Sequence, residues 1–131
     1  MAISHREDYS GAACELLRWG VQIVVITRAK NGASAITHDP TSNHIMEYRQ
    51  AINAVDICDT TGAGDAFAGA FLVEWVSSGD IFASLRAASL AGACAVSVQG
   101  ASTMVTDDEA KRIEERLFPS EATSVEILCS L

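Results

Sequence analysis

No Cys-x-x-Cys occurs anywhere in the 131 residues, and Cys14, Cys58, Cys94 and Cys129 are scattered without paired spacing. His5, His38 and His44 supply no zinc pattern near them. The thiols therefore read as buried or incidental groups of a reducing compartment, which makes a cytoplasmic location the expectation. Cations are scarce as well: 9 Lys and Arg stand against 17 Asp and Glu, a net charge of −8. Nucleic acid and anionic membrane both call for clustered Lys and Arg, so neither is expected as a partner. Residues 1–8 lack an apolar h-region, so no secretory leader is expected. Residues 87–106 carry no charge, but their Ala, Ser, Gly and Gln99 are less uniformly apolar than a membrane span requires. Repeats and low-complexity segments are also lacking.

What is present is enough for one core. Hydrophobic residues make up 49% of the chain, so collapse is assured and disorder is not expected away from the ends. Residues 8–19 suggest an amphipathic helix, with apolar Ala12, Ala13, Leu16, Leu17 and Trp19, stopped by Gly20. Residues 21–27 form a short β-branched run of the kind buried on both faces. Helix, glycine and such a strand make half of a parallel α/β unit. Gly32 turns the chain into 33–37, which is expected to pair antiparallel with 45–48 across a loop holding Pro40. Residues 55–58 read as another short strand. Further on, Ser78-Gly79-Asp80 is a break, and a helix spans 81–98 with Ile81, Leu85, Ala88, Gly92 and Ala95 on one face. Gly100 ends it. Asp107 and Asp108 open a last helix to about Leu117, Pro119 closes it, and 120–131 has no strong pattern.

The most informative run is Asp59-Thr-Thr-Gly-Ala-Gly-Asp-Ala-Phe-Ala-Gly-Ala-Phe-Leu72. A polar turn here feeds a helix whose opening residues, Gly62, Ala63 and Gly64, carry no bulky side chain. Unpaired backbone N–H groups at a helix N-terminus, reinforced by the dipole, suit an anion. Asp65 sits on that rim. It would repel a resident phosphate, yet it could accept a proton from a hydroxyl while the amides hold a phosphoryl group in transfer. Helix capping alone would also account for Asp and Thr in this position. Capping does not call for two glycines, each costing about 1 kcal/mol relative to alanine. Small residues at Ala66, Gly69, Ala70 and Val73 then let the helix lie close against a sheet. A dinucleotide fingerprint would need glycine where Phe67 stands, and a P-loop would need Lys followed by Ser or Thr where Ala70 and Phe71 follow Gly69.

Residues 59–72 resemble, position for position, the C-terminal signature of the ribokinase-like (PfkB) carbohydrate kinases. The resemblance runs from about residue 10 to residue 118, leaving 119–131 as a tail. It implies a three-layer α/β/α ribokinase-like fold truncated to its C-terminal, nucleotide-binding part. By the same resemblance, residues 21–32 match the strand and Thr-x-Gly-x-x-Gly loop that approaches the nucleotide phosphates and ribose. Here that loop reads Thr27-Arg28-Ala29-Lys30-Asn31-Gly32, with Ala29 in place of the first glycine. Ser89 falls where the family places a residue near the adenine ring. Asp59, Thr61 and Gly100 match the loop that holds a monovalent cation such as K+ in many relatives.

The family's sugar-binding residues, Gly-Gly signature and β-sheet lid are lacking. So is its Asn-x-x-Glu motif, since Asn53 with Asp56 lies in the wrong place. The expectation is a truncated gene product, a gene-model fragment or one piece of a longer kinase. The implied reaction is ATP-dependent phosphorylation of a sugar or nucleoside hydroxyl. Asp65 would act as general base, the amides of Gly62, Ala63 and Gly64 as anion hole, and Mg2+ would bridge the phosphates. A homodimer is allowed for a full-length form. Two other readings stay open: a catalytically inactive nucleotide-binding or interaction fragment, and a Rossmann-type oxidoreductase, which Phe67 disfavours.

Overall fold

In the computed structural model, residues 6–28, 32–53, 62–96 and 106–130 are described, with side chains from Tyr9 onward. Along the chain come α1 (Arg6–Arg18), β1 (Ile23–Thr27), β2 (Ala33–Asp39), β3 (His44–Gln50), α2 (Ala63–Ser78), α3 (Ile81–Val96), α4 (Asp107–Leu117) and β4 (Thr123–Ser130). The strands form one sheet in the order β1-β2-β3-β4, antiparallel throughout. The expected pairing of 33–37 with 45–48 is present, with Ala35 opposite Tyr48 and Thr37 opposite Met46. The expected parallel unit is not found among the described residues. β1 joins β2 through a hairpin far too short for a parallel crossover, which needs a dozen residues or more. β1 is consequently half-buried from Ile23 to Ile26 rather than enclosed on both faces. The strand expected over 55–58 lies outside the described residues.

Alternation along the strands builds three layers. On one face, Val24, Ile26, Ile36 and Ile45 pack with Tyr9, Ala13, Cys14 and Leu17 of α1. On the other, Ile23, Val25, Ala33, Ala35 and Tyr48 pack with Leu85 and Ala88 of α3 and with Phe67, Phe71 and Trp75 of α2. Ala35 and Ile36 are fully buried neighbours in sequence, one on each face. The result is the α/β/α sandwich that the resemblance implies, with four strands among the described residues.

The packing face of α2 differs from the small-residue stripe expected of it. Phe67, Phe71 and Trp75, spaced four apart, turn inward. Gly69, Leu72, Val73 and Val76 are exposed, and a side chain at Gly69 would meet nothing. Aromatic area on the inward face outweighs the closeness that small residues would permit. On α3, Gly92 faces Ala63 and Phe67 at a distance that an ordinary van der Waals contact would fill.

Thr106 begins α4, its Oγ1 accepting the Glu109 N–H at 3.2 Å, and Asp107, Asp108 and Glu109 complement the dipole. Asn53 satisfies carbonyls at the other end. Its N–H donates to Leu117 O at 2.6 Å, and its Nδ2 donates to Arg116 O at 3.0 Å. Residues 123–130, for which the sequence offers no pattern, form β4 along the open edge of β3. A bulge explains the missing signal: Cys129 faces Ile45 and Ile127 faces Met46, so the extra residue Leu128 breaks the alternation. No helix among the described residues is long and apolar enough to cross a membrane.

Leu85→Ala, at a fully buried position, is expected to cost about 2–5 kcal/mol in urea denaturation. Val76→Ala, at a position 82% exposed, is expected to change stability by less than about 0.5 kcal/mol.

Candidate functional site

The start of α2 is built as the sequence suggests. Gly62 precedes the helix with φ +79°, in the left-handed region where a side chain would be strained. Its carbonyl accepts the first intrahelical bond, from Ala66 N–H at 2.9 Å. Gly62 supplies no side-chain cap. Among the described residues, the first N–H groups of the helix therefore have neither an intrahelical acceptor nor a side-chain one, and the dipole makes that end attractive to negative charge. Space is available too, because a Cβ at Gly64 would meet nothing within 4 Å. Asp65 follows in the same turn, exposed, with no ion pair to another described residue. A carboxylate turned into a buried salt bridge, or a strand running through Gly62–Asp65, would have ruled out the chemistry expected of this motif. Neither is found.

α3 lies alongside. Its Gly92 faces Ala63, so the opening of α2 is held against the middle of α3. Ser89, one turn earlier on α3, is 6% exposed, and its Oγ has no hydrogen-bond partner among the described residues. A buried hydroxyl without a partner is uncommon enough to point to a missing group. The start of α2, with open space over Gly64, suits an anionic group. No cluster of His, Cys, Asp and Glu able to hold a metal is present among the described residues.

Thr27 and Gly32 occupy the hairpin between β1 and β2. Thr27 is exposed at the end of its strand. Arg28 N–H donates to Gly32 O at 2.8 Å as the last rung. Gly32 has φ +91°, and a Cβ there would stand 2.0 Å from Gln50 O, so glycine is obligatory on two counts. The expectations for Ala29, Asp59, Thr61 and Gly100 fall outside the described residues.

Sequence reasoning missed the most charged feature next to that hairpin. Glu47 on β3 is fully buried. Its Oε2 accepts from Tyr9 Oη at 2.8 Å and from Arg28 Nη2 at 2.9 Å, and its Oε1 accepts from Arg49 Nη2 at 3.1 Å. Arg28 Nη2 also donates to Ser34 Oγ. Arg49 reaches Glu126 of β4 at 3.3 Å. Burial pushes the Glu47 carboxyl upward, but hydrogen bonds from Arg49, Ser34 and Tyr9 outweigh it and hold the group below its ordinary value. Burial likewise lowers Arg49, and the Glu47 carboxylate more than reverses this. A signal did exist: Ile45, Glu47 and Arg49 share one strand face, so an acid and a base stand at core-facing positions.

Residues 2–108 match the family model described as pfkB family carbohydrate kinase. The deoxyribokinase of Salmonella typhimurium is 35% identical over 100 residues, which cover 76% of this chain and 31% of that protein. The ATP-dependent ribose-1-phosphate kinase of Halopiger xanaduensis is 34% identical over 87 residues, covering 66% and 27%. Among solved structures, the ribokinase of Thermotoga maritima superposes with TM-score 0.63 at 25% identity, covering 81% of this chain and 34% of that one. The chain thus spans less than a third of the length of these curated relatives.

Two expectations follow from this geometry. Gly32→Ala should destabilise the chain by about 3 kcal/mol, whereas Gly64→Ala, in open space, should leave thermal stability unchanged or raise it by about 0.5–1 kcal/mol. The lowered Glu47 carboxyl stabilises the fold fully above its ordinary value of 4.5, and that stability is lost as pH falls through its folded value. Urea midpoints followed from about pH 7 to about pH 3 should show an acid limb that flattens in Glu47→Gln.

Proposed function

Because this chain belongs to the PfkB family of carbohydrate kinases, we propose that it carries the donor side of an ATP-dependent phosphotransferase acting on a sugar or nucleoside hydroxyl. The observation that carries the reading is Asp65 standing exposed in an uncapped helix turn that opens on left-handed Gly62. In the proposed reaction, Asp65 takes the proton of the acceptor hydroxyl as its oxygen attacks the terminal phosphorus of ATP. The N–H groups of Gly62, Ala63 and Gly64 stabilise charge on the transferred phosphoryl oxygens. Mg2+, when bound with the nucleotide, supplies charge screening across the phosphates.

The hairpin with Thr27, Ala29 and Gly32 is assigned to the nucleotide phosphates and ribose. Ser89 is assigned to the adenine side, where its unpartnered hydroxyl would find a partner. Asp59, Thr61 and Gly100 are assigned to a monovalent cation such as K+. The names of the relatives, among them a deoxyribokinase, a ribose-1-phosphate kinase, a 2-dehydro-3-deoxygalactonokinase and a cytidine kinase, support a sugar or nucleoside acceptor.

A second reading has its own support. The chain spans less than a third of its curated relatives, and Leu72, Val73 and Val76 leave one face of α2 apolar and exposed. On this reading, the isolated chain binds nucleotide or a protein partner without turning over. ADP release over a panel of sugars and nucleosides separates the two. A rate above that of Asp65→Asn supports the enzyme, and no excess over that variant supports the binding fragment.

In a full-length context, Asp65→Asn is expected to lower phosphoryl transfer by about 10²-fold or more while ATP affinity stays near normal. Retained turnover in that variant would remove the catalytic role.

A further inference from the structure

Two guanidinium groups share the buried Glu47 carboxylate, but they lead to different places. Arg49 lies on β3 itself and runs outward to Glu126 on the neighbouring strand β4. Arg28 lies one residue beyond β1, and its backbone N–H closes the hairpin onto Gly32. Its side chain is held by few contacts. Nη2 binds Glu47 and Ser34, the guanidinium stands 5.5 Å over the Tyr9 ring, and Nε has no partner among the described residues. Tyr9 in turn donates its hydroxyl to the same Glu47 oxygen. One carboxylate therefore ties α1, the end of β1 and β3 together at the base of this hairpin. The hairpin's other leg is fixed independently, because Gly32 lies against the Gln50 carbonyl with no room for a side chain.

A buried ion cluster is a poor way to gain stability, since desolvation cancels much of the Coulomb gain and an apolar replacement of similar volume often does as well. What a cluster of this kind does supply is direction. An apolar contact would let the Arg28 rung slide or tilt, whereas a charge-assisted hydrogen bond fixes both.

We propose that Glu47 is a positioning residue for the nucleotide-contacting hairpin, acting through Arg28 to fix the Arg28–Gly32 rung against the sheet. This rests on the nucleotide-binding reading of Thr27 and Gly32 given above. The claim separates the two arginines. If the cluster served only to hold the fold, losing either guanidinium from Glu47 would have the same consequences. If it positions the hairpin, only the Arg28 contact matters to the nucleotide.

The test compares Arg28→Lys, Arg49→Lys and Glu47→Gln in the full 131-residue chain, with MgATP as the titrant and amide hydrogen exchange as a second readout. Arg28→Lys and Glu47→Gln are expected to weaken MgATP binding on the order of tenfold and to speed exchange of the residue 28 amide. Arg49→Lys should lower the urea midpoint comparably yet leave both readouts within about twofold of the parent. Equal loss of affinity in the two arginine variants would overturn the proposal, as would unchanged affinity in Arg28→Lys. Should the parent chain fail to bind MgATP, the nucleotide reading itself falls. The exchange data then still decide the structural claim, because equal protection of residue 28 in all folded variants would refute it. If Glu47→Gln does not fold, the two lysine variants alone give the answer.

Discussion

The contact between α2 and α3 is the constraint on which the candidate site depends. Phe67 and Phe71 bring α2 down beside Leu85 and Ala88, and the first turn of α2 lies against α3 at Gly92. α3 in turn rests on Ala33, Ala35 and Tyr48 of the sheet, with the Tyr48 and Phe82 rings edge to face at 5.5 Å. Asp65 and the uncapped turn are thereby placed by apolar packing several residues away, while the turn itself stays free of side chains that would fill it. Rigid support beneath an open polar rim suits the electrostatic role proposed for it, because donors must already be aimed when charge develops.

The two faces of the sheet solve different problems. Toward α2 and α3 the contacts are apolar and aromatic, and they serve mainly to bury area. Toward α1 an apolar patch around Ile36 and Ile45 gives way to the Glu47 cluster beside the β1–β2 hairpin. Cys14 belongs to the apolar part. Burial, together with the hydrogen bond and charge of Cys129, pushes its thiol up to about 11, so it stays protonated and unreactive at neutral pH. Among the described residues, Glu47 is thus the buried charged side chain, and it stands beside the β1–β2 hairpin outside the two apolar clusters.

Much of this was legible in the chain, and the failures have identifiable causes. The hairpin of 33–37 with 45–48, the break at Gly79 and the start of α4 were readable because each rests on local chemistry: alternation, a glycine stop, a cap followed by acids. The inward face of α2 was misjudged because two stripes on that helix are both apolar, and nothing local says which one meets a neighbour. β4 was missed because the bulge at Leu128 interrupts its period and because its strand exists only by pairing with β3. Glu47 was overlooked because an acid in a strand reads as solvated until Tyr9, 38 residues away, is seen to share its oxygen.

By itself the sequence determined the local grammar of the site. Gly62, Ala63 and Gly64 carry no bulky side chain, and Asp65 follows them in the first turn of a helix. It also made the family recognisable, because residues 59–72 resemble its C-terminal signature position for position. Only the tertiary structure decided which face of α2 is buried, that β1 turns back on β2, and which carboxylate holds the end of β1. Those choices depend on contacts between residues far apart in the chain, where the free energy comes from shared burial and paired charge rather than from any segment's own preference.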